Sequence, residues 1–594
     1  MYRYFIIIYL VFVNLSVGFA QPLVNSSEEE ALIYRVDHMS LEEKVGQLFM
    51  IAFRQDDGKP VTAITGAMKA ELQKYHLGGV ILFAENFKDI EQTVILTMDL
   101  QQAEGSIPLL IAVDQEGGRV NRFHFGTDLP GNMALGASGK VSNAYIAGNI
   151  LGKELAVLGI NTNLAPVLDI NSNQDNPVIG IRSFGADGQM VTKMGGAYIK
   201  GLHDGGVLAA VKHFPGHGDT SLDSHLGLPT VLYGRSRLSE LEIETFRENL
   251  SATDMVMAAH IAFPELDDSK VISKKDGQPV FLPASLSYKI LTNLLRESLG
   301  YDGVIITDAL EMKAITEHFG SEKAVVGALQ AGVDILLMPS DLPKAYAGVL
   351  EAVKTGVISE ERINESAKRI LRLKNQWITP KKVPRSVRLA VAENIVASKE
   401  HKDQERKLAY EAVTLLKNEE GTLPLMAKPK SRIVVAAPRL EIQNGMREAA
   451  LMQMKASGYR EATVSTISYE NLSELTTAQK KMIDESDYII LATYSSTLAS
   501  RTPGQTATAS FAAALIQYAD LAGKKTIVIA TGTPYDLLYL QGAKAYLAIY
   551  GTNAANIQAG MAAVYGSFTP SGRLPVPIQD QGTILFNMGY GLNH

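Results

Sequence analysis

From Leu48 onward, short apolar runs alternate with longer segments whose apolar residues recur at helical spacing. The runs Leu48–Phe53, Gly79–Phe83, Leu109–Asp114, Asn163–Asp169, Leu208–Phe214, Met255–Ile261, Gly303–Asp308 and Ile335–Pro339 read as buried strands. Between them, Ser142–Leu158, Val191–His203, Pro283–Leu299 and Lys344–Lys354 read as helices. Eight strand–helix units over roughly 330 residues suit a closed (β/α)8 barrel with insertions. An open doubly wound sheet is the competing arrangement, and the count of eight favours closure.

The barrel pattern ends with a helix over Glu360–Lys374, followed by the Pro- and Lys-bearing stretch Trp377–Pro384. A long helical segment, Glu400–Leu416, leads into a second α/β region. Its expected strands are Ile433–Ala437, Tyr488–Thr493, Thr526–Thr531 and Ala545–Tyr550. The expected organisation is a barrel over 30–378, a linker over 379–400 and a smaller doubly wound α/β domain over 401–594. No Gly-x-Gly-x-x-Gly follows any of these strands, so dinucleotide binding has no support. Whether the second domain walls a cleft or only braces the barrel is left open.

Composition narrows the function classes. The chain has 594 residues, 46% of them hydrophobic and 20% charged, and a net charge of −7. Interspersed charge of this sign gives no electrostatic footprint for nucleic acid. There is no cysteine, which removes disulfides, thiolate metal sites and cysteine nucleophiles. At the N-terminus, Arg3 precedes an apolar run, Tyr4–Val13, and Gly18-Phe19-Ala20 offers a small-x-small cleavage site. The expectation is a secretory signal over residues 1–20, with an uncleaved membrane anchor as the alternative. Either way the remainder works outside the cytoplasm, secreted or in the cell wall or periplasm.

Polar residues fall where such a barrel does its chemistry. Asp114, Asp169, Lys212, His213, His260 and Asp308 all lie at C-terminal ends of expected strands. Each could merely cap its strand, and for Asp169 and His260 taken singly that explanation is as good as a functional one. The densest stretch is Lys212–His225, in which Pro215, Gly216 and Gly218 forbid a helix after the strand. That loop holds His217, Asp219, Asp223 and His225. Asp308, on a buried strand end, is rigid and reachable enough for a nucleophile. His225, two residues after Asp223, suits an Asp–His acid/base pair, although a surface salt link explains the same spacing. A metal site is disfavoured: a Pro-Gly loop lacks the tight spacings of metal histidines, and Lys212 repels a cation.

The segments Lys212–His225, Gly79–Phe83, Ile111–Arg122, Arg182-Ser183-Phe184-Gly185 and Ile306-Thr307-Asp308 resemble glycoside hydrolase family 3. More closely, they resemble its β-N-acetylglucosaminidase branch. The likeness runs through most of 30–378, and Leu415–Asn418 and Ser571–Pro575 resemble the family's second domain more loosely. The resemblance implies that Asp308 is the nucleophile that forms a covalent glycosyl-enzyme. It makes His225 the general acid/base, paired with Asp223. It also assigns Asp114, Arg122, Arg182, Lys212 and His213 to the hydroxyls of the terminal sugar. Such charged groups hydrogen-bond vicinal diols, and these bonds strengthen as the ring flattens toward an oxocarbenium ion.

The implied activity is a retaining exo-β-N-acetylglucosaminidase, without metal or cofactor, acting on a β-linked GlcNAc oligosaccharide. The substrate class is peptidoglycan or muropeptide fragments, or chitin-type oligomers. The alternatives on the same scaffold are β-glucosidase or β-xylosidase specificity and phosphorolysis, since an imidazole does not repel phosphate as a carboxylate does. Substrate assistance by the acetamido group is the rival mechanism. A non-catalytic sugar-binding protein is disfavoured because Asp308, Asp223 and His225 are all present.

Overall fold

The computed structural model of the chain describes residues 26–593 apart from 104, 106, 221, 222, 379–382 and 460. The expected signal segment, residues 1–20, lies outside the described residues, as does the start of the expected linker. Among the described residues no helix is long and apolar enough to cross a membrane.

The first unit is an eight-stranded parallel barrel. Its strands are β1 (Phe49–Ala52), β2 (Gly79–Leu82), β3 (Leu110–Val113), β4 (Thr162–Asn163), β5 (Leu208–Phe214), β6 (Met255–Ala258), β7 (Val304–Thr307) and β8 (Leu336–Leu337). They pair in sequence order, and β8 returns to β1 with Phe49 opposite Leu336. The ring closes between β7 and β8 through the Ile306–Ile335 bridge, where the Thr307 N–H donates to the Ile335 carbonyl over 3.0 Å. Every residue of β2, β3, β5, β6 and β7 is buried, as expected for strands covered on both faces.

All eight expected strands are present, and two of them, β4 and β8, are reduced to two residues each. The run Asn163–Asp169 leaves the ladder after Asn163, because Pro166 has no N–H to donate. It rejoins β5 only at Val167, opposite Lys212. This irregular passage brings Asp169 beside the end of β5. The expected helix Pro283–Leu299 is also broken, into a 3₁₀ turn at Ala284–Leu286 and a wide π-type turn over Lys289–Ser298. Ser287 makes the break: its hydroxyl donates to Asp267 and accepts the Ile290 N–H at 3.1 Å.

The second unit is a six-stranded mixed sheet in the order β9-β14-β13-β12-β10-β11. Its strands are β9 (Thr414–Asn418), β10 (Arg432–Ala437), β11 (Thr463–Ser468), β12 (Tyr488–Thr493), β13 (Lys525–Ala530) and β14 (Ala545–Ala548). All neighbours are parallel except β9 against β14. Alternate residues feed two cores, with Val434 and Ala436 on one face and Ile433 and Val435 on the other. The sequence pattern misses two strands. Strand β9 lies inside the expected helix Glu400–Leu416, which stops at Ala412 where the run Val413-Thr414 turns β-branched. Strand β11 is an edge strand whose side chains are mostly exposed or half-buried, so it carries little apolar signal.

The two units are not loosely tethered. Met133, Ala134, Ala137 and Ile181 of the barrel unit share one apolar cluster with the second sheet. The stretch 379–400, expected as a linker, contains a helix, Arg385–Ile395. Just past it, the buried Glu154 accepts the Ala397 N–H at 2.9 Å and the His401 Nδ1–H at 2.8 Å.

The helices Val141–Leu158 and Gly188–Gly205 flank β4 and meet backbone to backbone. A Cβ on Gly201 would stand 2.3 Å from the Tyr145 carbonyl oxygen, and one on Gly148 would stand 2.2 Å from that of Tyr198. Gly201→Ala therefore has to push the pair apart, an overpacking cost of about 1–3 kcal/mol. Chemical and thermal denaturation should show a lower midpoint, and an unchanged one would mean that the helices part freely.

Candidate active site

Five charged side chains converge at the C-terminal mouth of the barrel in alternating sign. Lys212, near the end of β5, is 2% exposed. Its ammonium donates to Asp114 Oδ1 at 2.7 Å, just past β3, and pairs with Glu116 Oε1 at 2.8 Å. Arg182, in the turn Gly180–Arg182, grips Glu116 with two bonds, Nε to Oε2 at 2.9 Å and a terminal nitrogen to Oε1 at 2.7 Å. Arg122 approaches the other Asp114 oxygen at 3.5 Å. Burial alone would drive Lys212 toward the neutral amine, but Asp114 and Glu116 outweigh it and hold its pKa above the ordinary value. Burial likewise opposes ionisation of Glu116, and Arg182 and Lys212 reverse it, leaving the carboxylate far below its usual range.

His213, beside Lys212, is oriented by Asp169. The Asp169 Oδ2 accepts the His213 Nδ1–H at 2.6 Å, and its Oδ1 accepts the backbone N–H groups of His213 and His217 at 3.1 and 2.6 Å. Burial pushes the Asp169 carboxyl up, and the His213 charge and these bonds outweigh that and lower it. With Nδ1 committed, the Nε2 of His213 is free for the mouth of the barrel.

Asp308 follows β7, half-buried. Its N–H donates to the Ala258 carbonyl at 3.1 Å, and its Oδ1 accepts the Ala309 N–H at 2.8 Å. Burial raises its pKa, but His213, His260, that N–H and His225 together hold it down at about 2. His260 sits behind it: Nε2–H donates to the Ala309 carbonyl at 3.1 Å, so Nδ1 accepts from the Ser285 hydroxyl at 2.7 Å. Burial lowers the His260 pKa, and the neighbouring Asp308 charge opposes the shift.

On the loop after β5, the His225 ring leaves 66% of its side chain exposed. Its Nδ1–H and backbone N–H both donate to Asp223 Oδ1, at 2.9 and 2.8 Å. The bond to Asp223 raises the His225 pKa against the effect of burial, and the charge of Asp308 adds to the rise. So the two residues the sequence singles out feel each other's charge across the same mouth. His217 is different. It is buried, its Nδ1 meets the Thr220 hydroxyl at 3.0 Å and its Nε2 the Ser224 hydroxyl at 3.3 Å, and burial holds its pKa near 4. It stitches the loop to itself.

The loop is tightly seated. Gly218 passes so close to Ile170 that a Cβ would lie 1.6 Å from the Ile170 carbonyl oxygen. Beneath Gly216 lies Glu242, 3% exposed, with both carboxyl oxygens buried and lacking a hydrogen-bond partner. Burial pushes its pKa to about 7, with Asp219 and Asp169 adding to the rise and Arg237 opposing it. Asp219, itself raised to about 6 by burial, pairs with Arg237 at 3.1 Å.

The structure thus brings Asp114, Arg122, Arg182, Lys212, His213, Asp308, Asp223 and His225 to one end of the barrel. Sequence reasoning overlooks Glu116, although Asp-Gln-Glu places this second acid only two residues beyond the strand-end Asp114. It also leaves Asp169 undecided between a strand cap and a functional group, since a break in β4 has to occur before that carboxylate can reach His213.

Comparison with known proteins gives this arrangement a lineage. Residues 40–373 match the model of the glycosyl hydrolase family 3 N-terminal domain, and residues 413–593 match that of its C-terminal domain. A beta-hexosaminidase A from Pseudoalteromonas piscicida is 40% identical over 419 residues, which is 65% of this chain and 69% of that protein. A beta-N-acetylglucosaminidase/beta-glucosidase from Cellulomonas fimi is 30% identical over 410 residues, 68% of this chain and 69% of the other. The solved structure of a family 3 beta-N-acetylglucosaminidase from Paenibacillus sp. str. FPU-7 superposes with a TM-score of 0.77 at 33% identity, covering 91% of this chain and 99% of that one. With both domain models matched in order and the charged barrel mouth intact, the chain belongs to glycoside hydrolase family 3, in its two-domain form and on the β-hexosaminidase branch.

Proposed function

We propose that this glycoside hydrolase is a retaining exo-β-N-acetylglucosaminidase that releases terminal GlcNAc from peptidoglycan, muropeptide or chitin-type fragments. The observation that carries the reading is the pairing of an ionised Asp308 with a His225 whose proton is held by Asp223. The ionised carboxylate attacks the anomeric carbon from one face while the His225 Nε2–H protonates the departing oxygen. That bond breaks, the aglycone leaves as an alcohol, and the sugar stays esterified to Asp308. The now neutral imidazole then takes a proton from water, whose oxygen displaces the ester and restores both side chains.

The remaining groups hold the sugar. Asp114 and His213 supply acceptor and donor, while Arg122 and Arg182 present guanidinium edges to the hydroxyls and Lys212 fixes the carboxylates between them. The Arg122 Nε is buried without a hydrogen-bond partner among the described residues, which suits a donor reserved for substrate. The expected signal or anchor segment over residues 1–20 supports a site of action outside the cytoplasm, where wall fragments occur. The names of the relatives span hexosaminidase and glucosidase activities, so β-glucosidase specificity is the rival to test. Phosphorolysis is the other, favoured by an imidazole in the acid/base position.

Asp308→Ala should lower turnover of an aryl β-N-acetylglucosaminide by on the order of 10³-fold or more without altering the circular dichroism spectrum. Normal turnover by this variant would remove Asp308 from the chemistry. Matched aryl β-glucosaminides and β-glucosides, each assayed with and without phosphate, separate the specificities by rate. A sugar 1-phosphate among the products would mark phosphorolysis.

His225→Ala should cost ~10²–10⁴-fold in kcat/KM on a GlcNAc disaccharide and far less in kcat/KM on a dinitrophenyl glycoside, whose aglycone leaves unaided. Because the protonated imidazole is the working form, kcat/KM should fall as pH rises through the His225 pKa. That limb belongs above the ordinary imidazole value of about 6.5. An identical alkaline limb in His225→Ala would assign it to another group.

A further inference from the structure

The passage from Asn171 to Arg182 joins three things: the sugar-side arginine, the acid/base loop and the second domain. From the second domain, Arg501 reaches into it. Arg501 is 3% exposed, its guanidinium pairs with the Asp175 carboxylate, and a terminal nitrogen donates to the Gln174 carbonyl at 3.1 Å. Tyr535 packs beside it, with the guanidinium carbon 5.3 Å from the ring centroid, and accepts the Asn171 amide N–H at 2.7 Å. Gln174 in turn donates to the Gln579 carbonyl at 3.1 Å. Three side chains of the barrel passage are thus held from the second domain within five residues.

The very next residue faces the other way. Asn176 is buried, and its amide nitrogen donates to the His217 and Gly218 carbonyls at 2.8 and 2.9 Å. Its amide oxygen accepts the N–H groups of Val178 and Ile179, both at 2.8 Å, which sets the turn leading to Arg182. The capacity of Asn176 is therefore spent joining one loop to the other. Gly218, pressed on Ile170, leaves the acid/base loop no room to settle lower.

We infer that Arg501 is a positioning residue: by clamping Gln174 and Asp175 it holds Asn176 against His217 and Gly218, and so seats the loop that presents Asp223 and His225. This inference rests on the acid/base reading of His225. Arg501 is not needed merely to keep the domains together, because the apolar cluster containing Met133, Ala134, Ala137 and Ile181 spans the same boundary. Its fork is suited to fixing a carboxylate and a carbonyl at once, which an ammonium on a flexible stem does less well. A small misplacement of an acid matters: displacement by about 1 Å is enough for a rate loss near 10²-fold.

The test compares the full-length wild type with Arg501→Met, Arg501→Lys, Asn176→Ala and His225→Ala. Hydrogen–deuterium exchange of peptides spanning 214–228 reads the seating, and kcat/KM, which reports the first chemical step alone, on a GlcNAc disaccharide against a dinitrophenyl β-N-acetylglucosaminide reads the chemistry. Arg501→Met and Asn176→Ala should each speed exchange in that segment. Each should lose ~10-fold or more on the disaccharide but less than about threefold on the activated glycoside, with Arg501→Lys recovering part of the loss. The double variant should lose less than the product of the two singles, since both break one relay.

Unchanged exchange would overturn the inference. So would equal losses on the two substrates in Arg501→Met while His225→Ala discriminates between them. If His225→Ala itself lost both equally, the acid/base reading would fall, and the exchange data would still decide whether Arg501 seats the loop.

Discussion

A lysine ammonium shut inside the mouth of a barrel keeps its charge only when carboxylates surround it. Lys212 meets that condition through Asp114 and Glu116, which arrive from β3 and the turn beyond it. Glu116 then requires Arg182, and Asp114 draws in Arg122. Removing Glu116 would strip the largely buried Arg182 guanidinium of its carboxylate, a defect of about 3–5 kcal/mol. The chain of alternating charge therefore fixes the relative positions of β3, β5 and the passage carrying Arg182. It does so while keeping hydrogen-bonding edges near a place where a sugar can lie.

Much of this was legible in the amino-acid order, for physical reasons that differ by element. Apolar runs flanked by Gly and Pro revealed every barrel strand, because strands buried on both faces carry no competing polar pattern. Rim residues such as Asp114, Lys212 and Asp308 stood out by ending those runs. Strand β9 did not stand out, since its identity depends on pairing with β14 more than one hundred residues away (Thr414 opposite Ala548). The role of Asp169, though not its place at a strand end, and Glu116 altogether were hidden for the same reason. Their partners, His213 and Arg182, are distant in sequence, and only the broken course of β4 and the turn at Gly180–Arg182 bring them within bonding range. The helix Arg385–Ile395 lay behind a Pro- and Lys-rich stretch whose composition reads as a tether.

The two units divide their labour. All of the side chains placed at the barrel mouth belong to the first unit, and the second supplies an apolar face, a buried guanidinium and a tyrosine against the passage Asn171–Arg182. A domain that touches only the supports of a site can alter that site without ever meeting its substrate.

Glu242 carries one more implication. With neither oxygen bonded and with Asp169 and Asp219 as neighbours, it belongs under Gly216 as an uncharged acid. Its acidity is weakened on folding, from 4.5 to about 7, so the native chain binds a proton that the unfolded chain has already released. The resulting stabilisation is complete in acid below about 4.5 and drains away as the medium approaches neutrality. The share of the loop's support that comes from Glu242 is thus larger in acid than at neutrality. This buried carboxyl and the imidazole above it therefore take up protons in the same sense, while the lowered Asp169 carboxylate, which holds the His217 N–H of the same loop, favours the opposite one.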